Sequence, residues 1–217
     1  MPPRLEPLAR QSILITGASS GIGLAAARMA AGRGAAVTLV ARNEDALRAA
    51  AEGIRASGGR AAWHAADVAD ATALEAAADR AEQEFGGLDS WVNDAGASTV
   101  GAIEDTPVED QRRLFETNYW GVVNGSLIAA RRLRAHGGAL VNIGSVLSDR
   151  ALIYQGTYSA TKHAVKAFTD ALRMELEAAG APISVTLVKP ASVDTPYVRA
   201  REARMERPGH AAAAAGL

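Results

Sequence analysis

Short runs of apolar, β-prone residues alternate along most of the chain with longer stretches in which apolar residues recur every three or four positions. The short runs are Ser12–Thr16, Ala36–Ala41, Ala61–Ala66, Ser90–Asn93, Ala139–Ile143 and Ile183–Lys189. They are apolar nearly throughout instead of alternating with polar residues, which predicts strands covered on both faces. Helical spacing is predicted over Ile22–Arg33, Glu44–Ala56, Ala71–Phe85, Val108–Arg134 and Thr157–Ala179, with Gly34, Gly58-Gly59, Gly86-Gly87, Gly137-Gly138 and Gly180 at their ends. One unbroken strand–helix alternation predicts an α/β fold, a doubly wound parallel sheet with helices on both faces. Such sheets take ligands beyond the carboxyl ends of their strands, so chemistry is expected from residues just after each strand.

The tail breaks this pattern. Arg199–Arg207 is dense in charge, Pro208-Gly209 interrupts it, and Ala211–Ala215 is low complexity without a patterned face. One domain over 1–198 is expected, followed over 199–217 by a weakly ordered charged and alanine-rich tail or the start of a shortened substrate lid. With 217 residues, 48% of them hydrophobic, the chain can bury one substantial core. A formal charge of −1 leaves no electrostatic footprint for a nucleic acid or an anionic membrane as partner. The absence of cysteine excludes disulfides, thiolate metal sites and cysteine nucleophiles. His64, His136, His163 and His210 lack metal-ligand spacing, so no metal is expected. Met1-Pro-Pro-Arg does not open a signal peptide, and no run reaches the roughly 18 apolar residues of a membrane span. A soluble, cytoplasmic protein is the expectation.

The first strand runs into Thr16-Gly-Ala-Ser-Ser-Gly-Ile-Gly23 and straight on into a helix. Glycines at 17, 21 and 23 let the backbone turn tightly and approach a diphosphate, whose charge would meet free amides and the positive end of the helix dipole. A glycine triplet alone also serves merely to join strand to helix; the strand before and the helix after considerably strengthen its reading as a dinucleotide loop. Gly17, Ser19, Ser20, Gly21, Ile22 and Gly23 are assigned to it. At the end of the second strand, where such folds usually carry an acid for the ribose hydroxyls, stands Val40-Ala-Arg-Asn43. Arg42, helped by Ser19 or Ser20 and Asn43, suits a 2′-phosphate, so NADP(H) is expected in preference to NAD(H). Asn43 should also cap the next helix. Asp67-Val68 after the third strand and Asn93-Asp-Ala-Gly96 after the fourth would line the same edge of the sheet.

Ile153-Tyr-Gln-Gly-Thr-Tyr-Ser-Ala-Thr-Lys162 holds two tyrosines and one lysine. Residues four apart on a helix share a face, which pairs Lys162 with Tyr158 and leaves Tyr154 outside, across Gly156. An ammonium beside a phenol favours the phenolate and brings its ordinary pKa of about 10 toward neutrality, where it can exchange protons. The lysine's other donors can still hold ribose hydroxyls. Ser145, at the end of the fifth strand, offers a hydroxyl for a carbonyl or alcohol oxygen. Asn118, polar among apolar neighbours of a long helix, needs a partner if buried, and a water-linked relay to Lys162 would supply one. Singly these features are commonplace; with the glycine loop they point to proton chemistry beside a dinucleotide.

On these residues the sequence resembles the short-chain dehydrogenases/reductases, from about Ser12 to Tyr197. The Thr16–Gly23 loop is similar to that family's cofactor signature, Asp67 to its adenine-contacting acid, and Asn93-Asp-Ala-Gly96 to its Asn-Asn-Ala-Gly turn. Asn118, Ser145, Tyr158 and Lys162 fall at the positions of its catalytic tetrad. Pro190-Ala-Ser-Val-Asp-Thr195 resembles the segment that holds the nicotinamide amide. The resemblance implies Tyr158 as general acid/base, Ser145 orienting the substrate oxygen, Lys162 tuning Tyr158 and binding ribose, and Asn118 carrying a proton relay. It places Val68, Asn93, Ala95, Gly96, Pro190, Val193 and Thr195 on the cofactor, and Arg42 matches members that prefer NADP(H). Asp94 in place of the second asparagine and Ala191 in place of a glycine depart from the pattern. Members of the family also normally continue with a helix, a seventh strand and substrate-covering elements, so a shortened chain with reduced activity or altered assembly is one expectation.

The substrate side should be built from the loop after Gly96, the Val146–Gln155 segment and the region after Pro196, with Ser98, Leu147, Tyr154, Ala191 and Tyr197 facing it. Leu147, Leu152 and Ile153 suit a medium-sized, partly apolar carbonyl or alcohol compound. The expected reaction is hydride transfer between NADP(H) and that carbon; the rivals are a dinucleotide-binding sensor or inactive relative without turnover, and an NAD-linked enzyme. Helices Val108–Arg134 and Thr157–Ala179 resemble the family's assembly surfaces, implying a homodimer or homotetramer. Trp63 and Trp91 are expected to pack in the core; for Trp120 packing is expected ahead of a place against a partner subunit.

Overall fold

Among the described residues of the computed structural model, which are 5–191 and 193, six strands form a single sheet in the order β3-β2-β1-β4-β5-β6, every neighbouring pair parallel. The strands are β1 Ser12–Thr16, β2 Ala36–Ala41, β3 Arg60–Ala65, β4 Ser90–Asn93, β5 Gly138–Ile143 and β6 Ile183–Val188. The helices are α1 Gly21–Ala31, α2 Glu44–Ala56, α3 Ala71–Phe85, α4 Val108–Phe115, α5 Gly121–Leu133 and α6 Gly156–Ala178. The chain winds outward from β1 to β3, then returns to lay β4 on the other side of β1, so a crevice opens at the carboxyl ends of β1 and β4. The expected tail from 199 onward, with Thr195 and Tyr197, lies outside the described residues.

Local chemistry sets the ends of these elements. Asn43 caps α2 by accepting from the Ala46 amide at 3.0 Å, and Asp70 caps α3 by accepting from Thr72 and Ala73. Gly86 ends α3 in the left-handed conformation, φ 81°, which favours glycine. α1 and α2 cover one sheet face over Ile13, Ile15, Val37, Leu39, Leu47 and Ile54; α3, α5 and α6 cover the other over Leu14, Leu74, Trp91, Ile128, Leu133 and Leu140.

Three expectations change. The helix expected over Val108–Arg134 is interrupted at Glu116–Trp120 by a single π turn, within which Asn118 is buried on the same side as Leu114. The strands are not all covered on both faces: β3 and β6 are edges, and half-exposed Thr186 and Val188 lie on β6. Trp91 is fully buried, but Trp63 is half-buried on the β3 edge and Trp120 is 47% exposed, stacked edge-on against Tyr119. Helical spacing itself sets Trp120 nearly opposite buried Leu114 and Asn118, so its exposure follows from the period and not from its aromatic character.

Candidate active site

At the crevice the β1–α1 turn comes into close contact with the end of β4. Gly17 has φ 72°, and a Cβ there would lie 2.7 Å from the Ala95 nitrogen, so neither the conformation nor the space admits a side chain. The Thr16 hydroxyl locks the same junction, accepting from the amides of Asp94 at 3.1 Å and Ala95 at 3.2 Å. Ser20 is the N-cap of α1 yet makes no side-chain cap hydrogen bond, so its side chain leaves the first-turn amides of Gly21 and Ile22 to outside acceptors. This arrangement fits an anionic diphosphate: backbone donors, a helix dipole and no side chains in the way.

Arg42 stands exposed at the end of β2, close enough to Asp67 to act on its charge. Burial pushes the Asp67 carboxyl up, but the Ala69 amide at 3.0 Å and the Arg113 guanidinium prevail and hold it below its ordinary value. Arg113, on α4, escaped the sequence reading, since nothing in its neighbourhood along the chain marks it as a partner of a loop 46 residues away. Val68 is buried against Gly121, and its carbonyl accepts from Asn124 at 3.1 Å.

Beyond β4 and β5 the side chains expected to carry proton chemistry converge. The Lys162 amine lies over the Tyr158 ring, 5.7 Å from its centroid. It is 5% exposed and donates to the Ile143 carbonyl at 2.9 Å. Burial lowers its pKa to about 8, against the opposing pull of Asp94. Tyr154 lies outside this pair, with the left-handed φ of 62° and its carbonyl bound to the Gly101 amide at 2.9 Å.

Asn118 is fully buried and clamps its surroundings: its Oδ1 accepts from the Ala97 amide at 2.8 Å, and its Nδ2 donates to the Ala97 carbonyl at 2.9 Å and to the Thr161 hydroxyl at 3.1 Å. Thr161 in turn donates to the Tyr158 carbonyl at 2.7 Å. Asn118 therefore reaches α6 through Thr161, a residue the sequence reading passed over although it stands between Tyr158 and Lys162. Asn118 Oδ1 and Lys162 Nζ lie 3.5 and 4.0 Å from a Cβ built on Gly96, so the two share that glycine's empty side. Ser145 is the N-cap of the 3-10 turn Val146–Ser148; its hydroxyl accepts from the Leu147 amide at 3.1 Å, which leaves its proton to donate.

Asp94 completes the cluster. Its carboxylate accepts a hydrogen bond from the Gly23 amide and would lie 2.8 Å from a Cβ at that glycine. Burial pushes its pKa up to about 7, offset in part by the Lys162 charge and the Gly23 amide. Of the residues expected to face a substrate or the nicotinamide, Ser98 and Leu147 are buried, Ala191 and Val193 are exposed, and the Pro190 carbonyl accepts from the Val146 amide at 3.1 Å. Ile103, Leu152 and Ile153 are exposed apolar side chains, and Ile103 packs against Gly156 at the start of α6. Among the described residues no group of three or more acidic, histidine or cysteine side chains could hold a metal ion, and no helix is long and apolar enough to cross a membrane.

The sequence profile of the short chain dehydrogenase family matches residues 11–206. The chain is 46% identical over 196 residues to the uncharacterized oxidoreductase YxnA of Bacillus subtilis (strain 168), an alignment that takes in 89% of this chain and 55% of YxnA. The chain thus spans about half the length of that relative. Among solved structures, a short chain dehydrogenase/reductase from Burkholderia phymatum in complex with NAD superposes with a TM-score of 0.87 at 30% identity, over 94% of this chain and 76% of that one. A short chain dehydrogenase from Burkholderia cenocepacia J2315 in complex with NADP gives 0.81 at 36% identity, over 88% and 78%. Sheet order, loop geometry and sequence agree, and the chain belongs to the short-chain dehydrogenase family.

Proposed function

We propose that this protein is an oxidoreductase that moves a hydride between NADP(H) and the carbon of a medium-sized, partly apolar carbonyl or alcohol, with Tyr158 as general acid/base. The observation that carries this reading is the buried Lys162 amine over the Tyr158 ring, at the carboxyl ends of β4 and β5 and beside the glycine loop. When bound, the dinucleotide supplies the hydride at its nicotinamide ring. The uncapped start of α1 and the Gly17–Gly23 turn would hold its diphosphate, and Lys162 and Asp67 its sugar and base. Asn93, Ala95 and Gly96 would form the floor beneath it, and Pro190, Val193 and Thr195 its nicotinamide edge. Lys162 places positive charge near the phenol, the arrangement that suits Tyr158 to exchange a proton with the substrate oxygen. Ser145, whose hydroxyl already accepts from Leu147, donates to the substrate oxygen and orients it. Asn118 holds the Ala97 loop to the Tyr158 backbone through Thr161, fixing where the phenol stands.

The preference for NADP(H) rests on Arg42 and on the lack of an acid at the end of β2; among structural relatives, one complex holds NAD and another NADP. Ser98, Leu147, Tyr154 and Ala191, with Tyr197 by the resemblance, would serve the substrate. A homodimer or homotetramer would bury the exposed Trp120 and Leu127, at the start of α5 and along it.

Tyr158→Phe tests the reading. Turnover over a panel of carbonyl compounds, followed by NADPH oxidation, should fall by about 10²–10⁴-fold, the usual share of a general acid/base, while NADPH binding stays nearly unchanged. Retention of most of the rate would remove Tyr158 from the mechanism, and binding without turnover in the wild type on every compound would favour a sensor.

A further inference from the structure

Asp94 is a partly buried acid of the cluster for which the mechanism has no use. Its position is fixed on three sides. Its amide is held by the Thr16 hydroxyl at 3.1 Å, its carboxylate takes the Gly23 amide from the first turn of α1, and Lys162 on α6 acts on it as the nearest charge. Gly23 has no room for a side chain because the carboxylate occupies that space. Asp94 therefore joins the turn that would hold the diphosphate to the lysine that would hold the ribose, and it brings an acid to a place where the ligand itself is anionic.

We propose that Asp94 is a positioning residue whose carboxyl takes up a proton when the dinucleotide binds, so that cofactor affinity is linked to pH. The inference rests on the dinucleotide reading of the crevice. The groups that face Asp94 are the Gly23 amide and the positive end of α1, the neutral Thr16 hydroxyl on β1, and the Lys162 amine on α6. In the absence of ligand, burial already brings the carboxyl to about 7. A diphosphate at the start of α1 adds negative charge and displaces water, and both changes favour the neutral acid. Protonated, Asp94 no longer repels the diphosphate and can donate a hydrogen bond, while Lys162, relieved of its carboxylate partner, is free to serve the ribose and Tyr158. The linkage has one sign: affinity is highest at low pH and weakens as pH rises through the titration of the unliganded acid.

Carbon-13 labelling of aspartate carboxyls lets this be followed by NMR, with Asp94→Asn identifying the Asp94 resonance by its loss. Saturation with NADPH should raise the Asp94 midpoint by about one pH unit, equivalent to an affinity about fivefold weaker at pH 8 than at pH 6 from this group. Calorimetry in buffers of different ionisation heat needs only the wild-type chain. It should show uptake of a fraction of a proton on NADPH binding near pH 7.5, and in Asp94→Asn that uptake should shrink to the smaller share left to Lys162, which titrates at about 8. A merely structural role would alter the melting temperature of Asp94→Asn and leave the uptake unchanged. If NADPH binds but the midpoint stays put or falls, or no proton is taken up, the inference fails while the dinucleotide reading survives. If NADPH does not bind to the wild type at all, both fail.

Discussion

The two faces of the sheet are built on opposite terms. Under α1 and α2 the sheet packs apolar side chains, and the buried polar pair on that face, Ser90 with Gln11, sits at the amino end of the strands, far from the crevice. Under α3, α5 and α6 a chain of buried polar groups crosses the core. Trp91 donates to Asn93 at 2.7 Å, Asn93 donates to Asn142 at 2.8 Å and to Ser126 at 3.2 Å, and Asn142 donates to Thr169 at 3.0 Å. Asn93 and Asn142 are register partners on β4 and β5, just before the turns that carry Asp94 and Ser145. The first face can hold its ligand with backbone amides at the surface and needs nothing polar inside. The second carries a phenol, an amine and a hydroxyl at its edge, and ties the strands beneath them with hydrogen bonds that only a low-dielectric interior makes directional and strong.

The comparison is tested most severely at Lys162. Replacing it by Met should reduce turnover by about a thousandfold, within the range for loss of proton chemistry, and yet stabilise the fold. A lysine lowered from its ordinary value to about 8 weakens the folded state wherever both states carry the proton, that is below pH 8, and the penalty fades as pH rises toward 10.5. The shift corresponds to about 3 kcal/mol, and loss of the bond to Ile143 returns about 1 kcal/mol. A net gain of about 2 kcal/mol near neutral pH should appear in denaturant titrations and vanish above pH 10. A variant less stable than the wild type at pH 7 would break the contrast between the faces.

Asn142→Leu attacks the polar chain away from the crevice. It strands Asn93, Ser126 and Thr169, and should cost about 2–4 kcal/mol, read by calorimetry as a melting point lowered by roughly 10 °C for a chain of this size. Turnover per folded molecule should fall too, since the ends of β4 and β5 lose their tie. A smaller effect is expected on the other side: Arg42→Ala should weaken NADPH binding about tenfold, as for loss of a charged hydrogen-bonding partner, and leave NADH binding and stability unaltered. Equal losses for the two cofactors, measured by isothermal titration, would take Arg42 out of the specificity argument.

Legibility in the sequence divides along the same line. The glycine turn, the Asn43 cap and the strand–helix alternation depend on residues close in sequence, and each has the form its local chemistry predicts. The pairing of Lys162 with Tyr158 was readable too, because helical spacing is a local rule. The π turn was not, since it is set by the tertiary demand that Asn118 reach Ala97 and Thr161 while α5 still packs on the sheet. Trp120, an aromatic residue expected to pack inside, stands half in solvent on the face of the helix opposite Leu114 and Asn118. The partnership of Arg113 with Asp67 and the contact of Asp94 with Gly23 join segments that only the sheet order brings together.

The sequence by itself determined the fold class, the form of the glycine turn and the pairing of Lys162 with Tyr158, because hydrophobic period, glycine freedom and helical spacing act over a few residues. The tertiary structure alone decided how those side chains are charged and held, because burial and electrostatic coupling depend on what distant segments place within a few ångströms, as Asp94, Lys162 and Asn118 each show.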